Sequence, residues 1–296
     1  MQNATPVAVA VLVVELVPAA AFGFAAERVA NAMARWTSAV RVLLPSLLAL
    51  PYAVAAASHH MLRWPWFALY ALLPVGIAWM LQQAAGADPE QRGNWRDAVI
   101  LLVLGLAVDL RWFDAAWPSG WRGLGNLLLV DAGLYGFLGI RCLTGTGFDF
   151  HLRWSDWKTG LRELAFFAPV VLTLGLALGF IHPHVNRPAI GHAALLWARI
   201  FVFVAIPEEL FFRAWVQNLL ERRVGHRAAL LLASVLFGLS HFNKRLDVNP
   251  GHFNWRYVLL ATIAGVFYGR AWREQRRVPA STITHTFVDW IWSWWF

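Results

Sequence analysis

Long apolar runs broken by short charged segments set the pattern of this chain. Ten runs stand out, at 4–25, 38–58, 64–83, 97–112, 123–140, 163–181, 191–220, 226–242, 255–271 and 278–296. A helix needs about 20 apolar residues to cross the hydrocarbon of a bilayer. Every backbone N–H and C=O in that layer must also be satisfied within its own segment. The pattern therefore predicts an all-α fold, a polytopic transmembrane helical bundle of about eight to ten spans. The fourth run is short, and the seventh is too long to be straight. Pro207 has no N–H to donate and offers the seventh run a kink site.

Composition strengthens this picture. Hydrophobic residues make up 59% of the 296 positions and charged residues only 14%. A soluble domain carries about 25% charged residues. Mean hydropathy is +0.51. The formal charge of +8 then needs only basic loops facing anionic lipid headgroups. No soluble stretch is long enough for a nucleic-acid-binding face. Eighteen tryptophans suit interfacial belts. Cys142 is the single cysteine, which excludes an intramolecular disulfide and a thiolate metal cluster. The first run lacks a basic segment before it and reads as a retained span rather than a cleaved signal.

Loop charge predicts orientation. The loops after odd-numbered runs hold 16 Lys and Arg, the loops after even-numbered runs hold 7, and Arg199 and Arg213 lie within runs. The excess places the odd loops in the cytoplasm and both ends of the chain outside. The longest polar stretch before the final third, 141–162, separates five early runs from the later ones. It suggests an N-terminal transmembrane region of unknown role over 1–162 and a core over 163–296. Its Gly-Thr-Gly is no phosphate loop, since no Lys-Ser/Thr follows. No internal repeat or low-complexity tract is visible.

Residues 205–215 read AIPEELFFRAW, three charges in an apolar run. An ionisable group at membrane depth costs about 2.5–3.5 kcal/mol on insertion scales. At about 100° per residue, adjacent Glu208 and Glu209 point to different sides. Glu209 and Arg213 are four apart and share a face, so they can pair. Glu208 lies off that line. The spacing leaves one neutralised carboxylate and one spare, unless both glutamates serve Arg213 as a structural cluster.

Two further polar insertions follow. His241 closes the eighth run, with Phe237 one turn before it. His285 and Asp289 are four apart on one face of the last run, among Trp, Ile and Phe. Gathered in one pocket, these groups could activate water and stabilise an oxyanion. Glu208, His241 and His285 could instead supply three ligands to a zinc with an open fourth position.

These three motifs together resemble the CPBP family. It includes type II CAAX prenyl endopeptidases, bacteriocin-processing and self-immunity proteins, and abortive-infection-like proteins. The family pattern EExxxR, FxxxH and HxxxN/D stands here as Glu208-Glu209…Arg213, Phe237…His241 and His285…Asp289. The resemblance covers roughly residues 191–296. It implies an intramembrane endopeptidase in which Glu208 activates water and His241 helps to hold it. His285 and Asp289 then face the oxyanion, and Glu209 and Arg213 keep the site in shape. Position 289 is Asp where the best-studied branch has Asn, and an ionised Asp cannot donate to an oxyanion. Position 214 is Ala where Gly is common. Family metal dependence is unsettled, and no HExxH is present.

The expected partners are the bilayer and a membrane-associated protein or peptide substrate, with no nucleic acid. The expected place is the bacterial cytoplasmic (inner) membrane. Some relatives implied by the resemblance accompany sorting of proteins by their C-terminal tails. Two other classes remain open. One is an ion- or proton-coupled transporter using the same polar residues as a relay. The other is a non-catalytic immunity or partner-binding membrane protein. Glu15 and Asp131 are isolated carboxylates within runs. Arg199 could pair with a glutamate two turns on. His59, His60, His182, His184 and His252 read as solvated loop histidines.

Overall fold

The computed structural model describes residues 6–184, 186, 189–244 and 254–296. His252, and the loop cations Arg187 and Arg245, lie outside the described residues. Helices, and no strand, make up the regular structure of the described residues. They form two compact units, Met1–Thr144 and Gly145–Phe296. The division falls inside the polar stretch 141–162, and residues 145–162 belong to the second unit.

The first unit holds α1 (Pro6–Ala34), α2 (Ser38–Leu43), α3 (Ala49–Ser58), α4 (Trp64–Ala87), α5 (Trp95–Asp109) and α6 (Arg122–Leu134). α6 continues as a wider π-turn over Tyr135–Ile140. α1 breaks helical geometry at Ala25. Thr37 caps α2 by accepting from the Val40 N–H at 3.3 Å. Asn94 and Asp97 cap α5 reciprocally, which satisfies its first free N–H groups. α5 has 15 residues, fewer than a perpendicular span requires.

The second unit holds α7 (Trp154–Ala177), α8 (Ile190–Ile200), α9 (Ile206–Glu209), α10 (Asn218–Val224), α11 (His226–Leu239), α12 (Trp255–Gln275) and α13 (Val278–Trp295). Among the described residues, six stretches could cross a membrane by length and composition: 6–34, 38–58, 64–87, 122–140, 154–177 and 190–224. α11 is apolar but shorter, at 14 residues. α12 and α13 are long, yet their polar residues lower their apolar average.

α7 starts nine residues before the apolar run that announced it, at Trp154 rather than 163. The reason is capping and polar pairing. Asp156 accepts from the Arg153 N–H at 2.8 Å. Asp156, Thr159, Gly160 and Glu163 are all buried on this helix. Arg277, between α12 and α13, donates from Nε to Asp156 Oδ1 at 2.8 Å and from Nη1 to Asp149 Oδ2 at 2.6 Å. It also donates from Nη2 to the His151 carbonyl at 2.6 Å. Burial pushes the Asp149 carboxyl up, but hydrogen bonds from Arg277 and His151 outweigh it and hold the group at about 2.

The same junction fixes where α13 begins. The Val278 N–H donates to the Gly147 carbonyl at 2.8 Å. Gly147 has φ +68°, and a Cβ there would sit 2.0 Å from the Arg276 carbonyl oxygen. A side chain is thus excluded both by conformation and by space. Further along, the backbones of α7 and α13 approach closely. A Cβ on Gly160 would meet the Ile283 side chain at 2.8 Å, and Thr284 Oγ1 donates to the Gly160 carbonyl at 3.0 Å. These contacts set the register of α13, and with it the positions of His285 and Asp289.

Candidate active site

The long seventh run is interrupted twice. π-turns over Phe201–Ala205 and Leu210–Gln217 flank α9. The Ile206 N–H reaches back five residues to the Phe201 carbonyl, and the Asn218 N–H five residues to that of Arg213. Such widenings recur at functional sites. Here they bracket the missing N–H of Pro207 and present Glu208 and Glu209 between them. The expected single kink is therefore two widenings.

Arg213 Nε donates to Glu209 Oε2 at 3.0 Å, with both side chains fully buried. The i,i+4 pairing read from the sequence is present despite the π geometry. Glu209 Oε1 meets His285 Nδ1 at 2.9 Å. An ionised carboxylate only accepts, so Nδ1 carries the proton. His285 Nε2 then faces Asp289 Oδ2 at 3.5 Å and Glu208 Oε2 at 3.9 Å. The His285 ring stacks on Tyr268 at 4.6 Å and 14°, with the Phe237 ring edge-on at 5.7 Å. Phe237 also lies under the Arg213 guanidinium, 5.3 Å from ring centre to Cζ.

His241 packs against Phe237 at 4.9 Å and Tyr257 at 4.8 Å. Its Nδ1 donates to the Phe237 carbonyl at 2.8 Å, which leaves Nε2 as the acceptor. The charges of Glu208 and His285 both act on it. Exposure grades across the cluster. Glu209 and Arg213 are 0% exposed and His285 3%, whereas Glu208 is 27% and Asp289 38% exposed. The inner groups are locked, and the outer carboxylates are partly exposed.

The structure thus brings Glu208, Glu209, Arg213, Phe237, His241, His285 and Asp289 into one neighbourhood. Among the described residues, no three His, Cys, Asp or Glu side chains are grouped to hold a metal ion. His285 gives one ring nitrogen to Glu209, and its other is 3.9 Å from Glu208. Arg199 is exposed on α8 and forms no ion pair with either glutamate among the described residues.

Sequence reasoning missed three neighbours. Tyr257 and Tyr268 are eleven residues apart, which returns them to within about 20° of the same helix face. That spacing was the available signal. Lys244, whose Nζ lies 3.8 Å from Glu208 Oε1, sits just past a helix end, where no periodicity marks it.

The segment that carries all seven residues was compared with known proteins. Residues 190–291 match the family model for Rce1-like type II CAAX prenyl endopeptidases. The match supports the resemblance seen in the three motifs and runs from the start of α8 into α13. The matched segment, about a third of the chain, is thus similar to a protease family, and the long apolar helices among the described residues support an integral membrane protein. No curated protein and no solved structure matches the chain.

Proposed function

We propose that this protein is an intramembrane endopeptidase of the CAAX-protease-like type, cleaving a membrane-associated protein or peptide by glutamate-activated water. One observation carries the reading. Glu209 is fully engaged by Arg213 and His285. Its neighbour Glu208 is partly exposed, with a buried Oε2 that has no hydrogen-bond partner among the described residues. That oxygen is the free base of the cluster.

The chemistry follows from the donors. Glu208 takes a proton from a water, and the water oxygen attacks the scissile carbonyl carbon. His285 Nε2 faces two carboxylate oxygens, so a proton must be shared among Glu208, His285 and Asp289 to avoid lone pair against lone pair. Held on Nε2, that proton donates to the developing oxyanion, and Asp289 orients it. The tetrahedral intermediate collapses, the C–N bond breaks, and Glu208 passes its proton to the leaving amine nitrogen. The products are a carboxylate and an amine. His241, with Nε2 as acceptor, can hold the attacking water from the α11 side. The aromatic inner wall of Phe237 and Tyr268 against His285 strengthens these interactions.

The test is peptide cleavage by the full chain in liposomes, read by mass spectrometry. Wild type is expected to cleave and Glu208→Gln, which preserves shape, is expected not to. Equal activity of the two would overturn the reading. Proton or ion uptake without cleavage would favour the relay instead.

A further inference from the structure

Lys244 stands on the open side of the cluster. It is 46% exposed, and its Nζ lies 3.8 Å from Glu208 Oε1. The other oxygen of the same carboxylate faces His285 Nε2 at 3.9 Å. Glu208 is therefore approached from two sides, one oxygen to each nitrogen. The charge of Lys244 also acts on Asp289, His241 and Tyr257.

Charge accounting gives the ammonium a task. Three carboxylates, Glu208, Glu209 and Asp289, meet in this neighbourhood. Arg213 balances Glu209, and the shared proton on His285 balances a second. Among the described residues, Lys244 is a cation that faces the third. An unbalanced carboxylate at a half-buried rim would swing to water, and Glu208 is the one free to do so.

We infer that Lys244 is a positioning residue for Glu208. Its ammonium holds Oε1, so that Oε2 stays turned toward His285 and the attacking water. It also offsets the negative charge of Asp289. This inference rests on the endopeptidase reading for its kinetic consequence, but not for the Lys244–Glu208 contact itself.

The test uses the full chain in liposomes, with a peptide that the wild type cleaves. Lys244→Met is expected to lower kcat about 10- to 100-fold, the scale of a misplaced reacting group. KM should stay within about twofold, since no substrate contact is removed. Lys244→Arg, which restores the charge, is expected to recover most of the rate. A raised KM at unchanged kcat would overturn the inference, because Lys244 would then bind substrate. No change in either constant would overturn it too. Should Lys244→Met fail to fold, Lys244→Gln is read in its place. A double-mutant cycle on unfolding in micelles keeps the contact testable if no peptide is cleaved. Lys244→Met and Glu208→Gln should be non-additive; strict additivity would sink the inference even if the protease reading stands.

Discussion

The two units bury carboxylates in opposite ways. In the first, Glu15 on α1 and Asp131 on α6 are 1% and 2% exposed. Both Glu15 oxygens and Asp131 Oδ2 have no hydrogen-bond partner among the described residues. The two act on each other electrostatically, and neither forms a described ion pair. In the second unit, Glu209 is as deeply buried but carries an arginine and a histidine. An unpaired acid in oil survives by staying neutral, whereas a paired one can keep its charge. The difference teaches where chemistry is prepared. Among the described residues, the second unit sets fixed charges beside a carboxylate oxygen with no hydrogen-bond partner, that of Glu208. At their loops the units are alike: Arg141 clamps Asp88 and Asp97 in one, and Arg277 clamps Asp149 and Asp156 in the other.

The comparison can be broken most sharply at Glu208. Glu208→Gln should cut peptide cleavage about 100- to 10,000-fold, the range of a general base, while unfolding in micelles loses no more than a part-exposed ion pair supplies, about 0–1 kcal/mol. Next comes Arg213→Met, which strands Glu209. A buried pair broken from one side loses about 3–5 kcal/mol, readable by denaturant unfolding. Adding Glu209→Leu should return part of that loss, since removing both partners is milder than removing one.

The matching change in the first unit is expected to be small. Glu15→Gln removes no ion pair, so stability should shift by less than about 1 kcal/mol. A loss as large as that of Arg213→Met would show that Glu15 has a charged partner and would erase the contrast.

The smallest effects test the likeness of the loops. Asp149 is held at about 2 in the folded chain, against about 3.9 when unfolded. A lowered carboxyl stabilises above its unfolded value, and that share is lost as pH falls from about 4 toward 2. Asp149→Asn should flatten this limb of an acid-unfolding curve. Burial raises the Asp88 carboxyl, but the Arg92 and Gly93 N–H groups with Arg141 outweigh it and hold it low. Asp88→Asn should therefore act with the same sign.

Much of this was legible in the residues. The ten runs each contain a helix, because apolar length alone dictates that in a bilayer. Four-residue spacing gave the Glu209–Arg213 pair and left Glu208 free, and the same spacing put His285 near Asp289. Other features were hidden for physical reasons. A π-turn has no signature of its own, so the double widening around Pro207 was invisible. The start of α7 was hidden because Asp156 read as loop polarity until Arg277 supplied its partner. Lys244 needed three-dimensional proximity, since it follows a helix end.

α13 has one more consequence. Its first nine residues, Val278–Thr286, are all buried, though four are Ser or Thr. Those hydroxyls are satisfied by Val278, Gly160 and Thr282 carbonyls. Such a segment is a poor lodger in bare lipid and gains its place mainly from neighbours already standing. His285 therefore joins its glutamates only when the surrounding helices are complete. During biogenesis, a half-built chain would leave the proposed site unassembled.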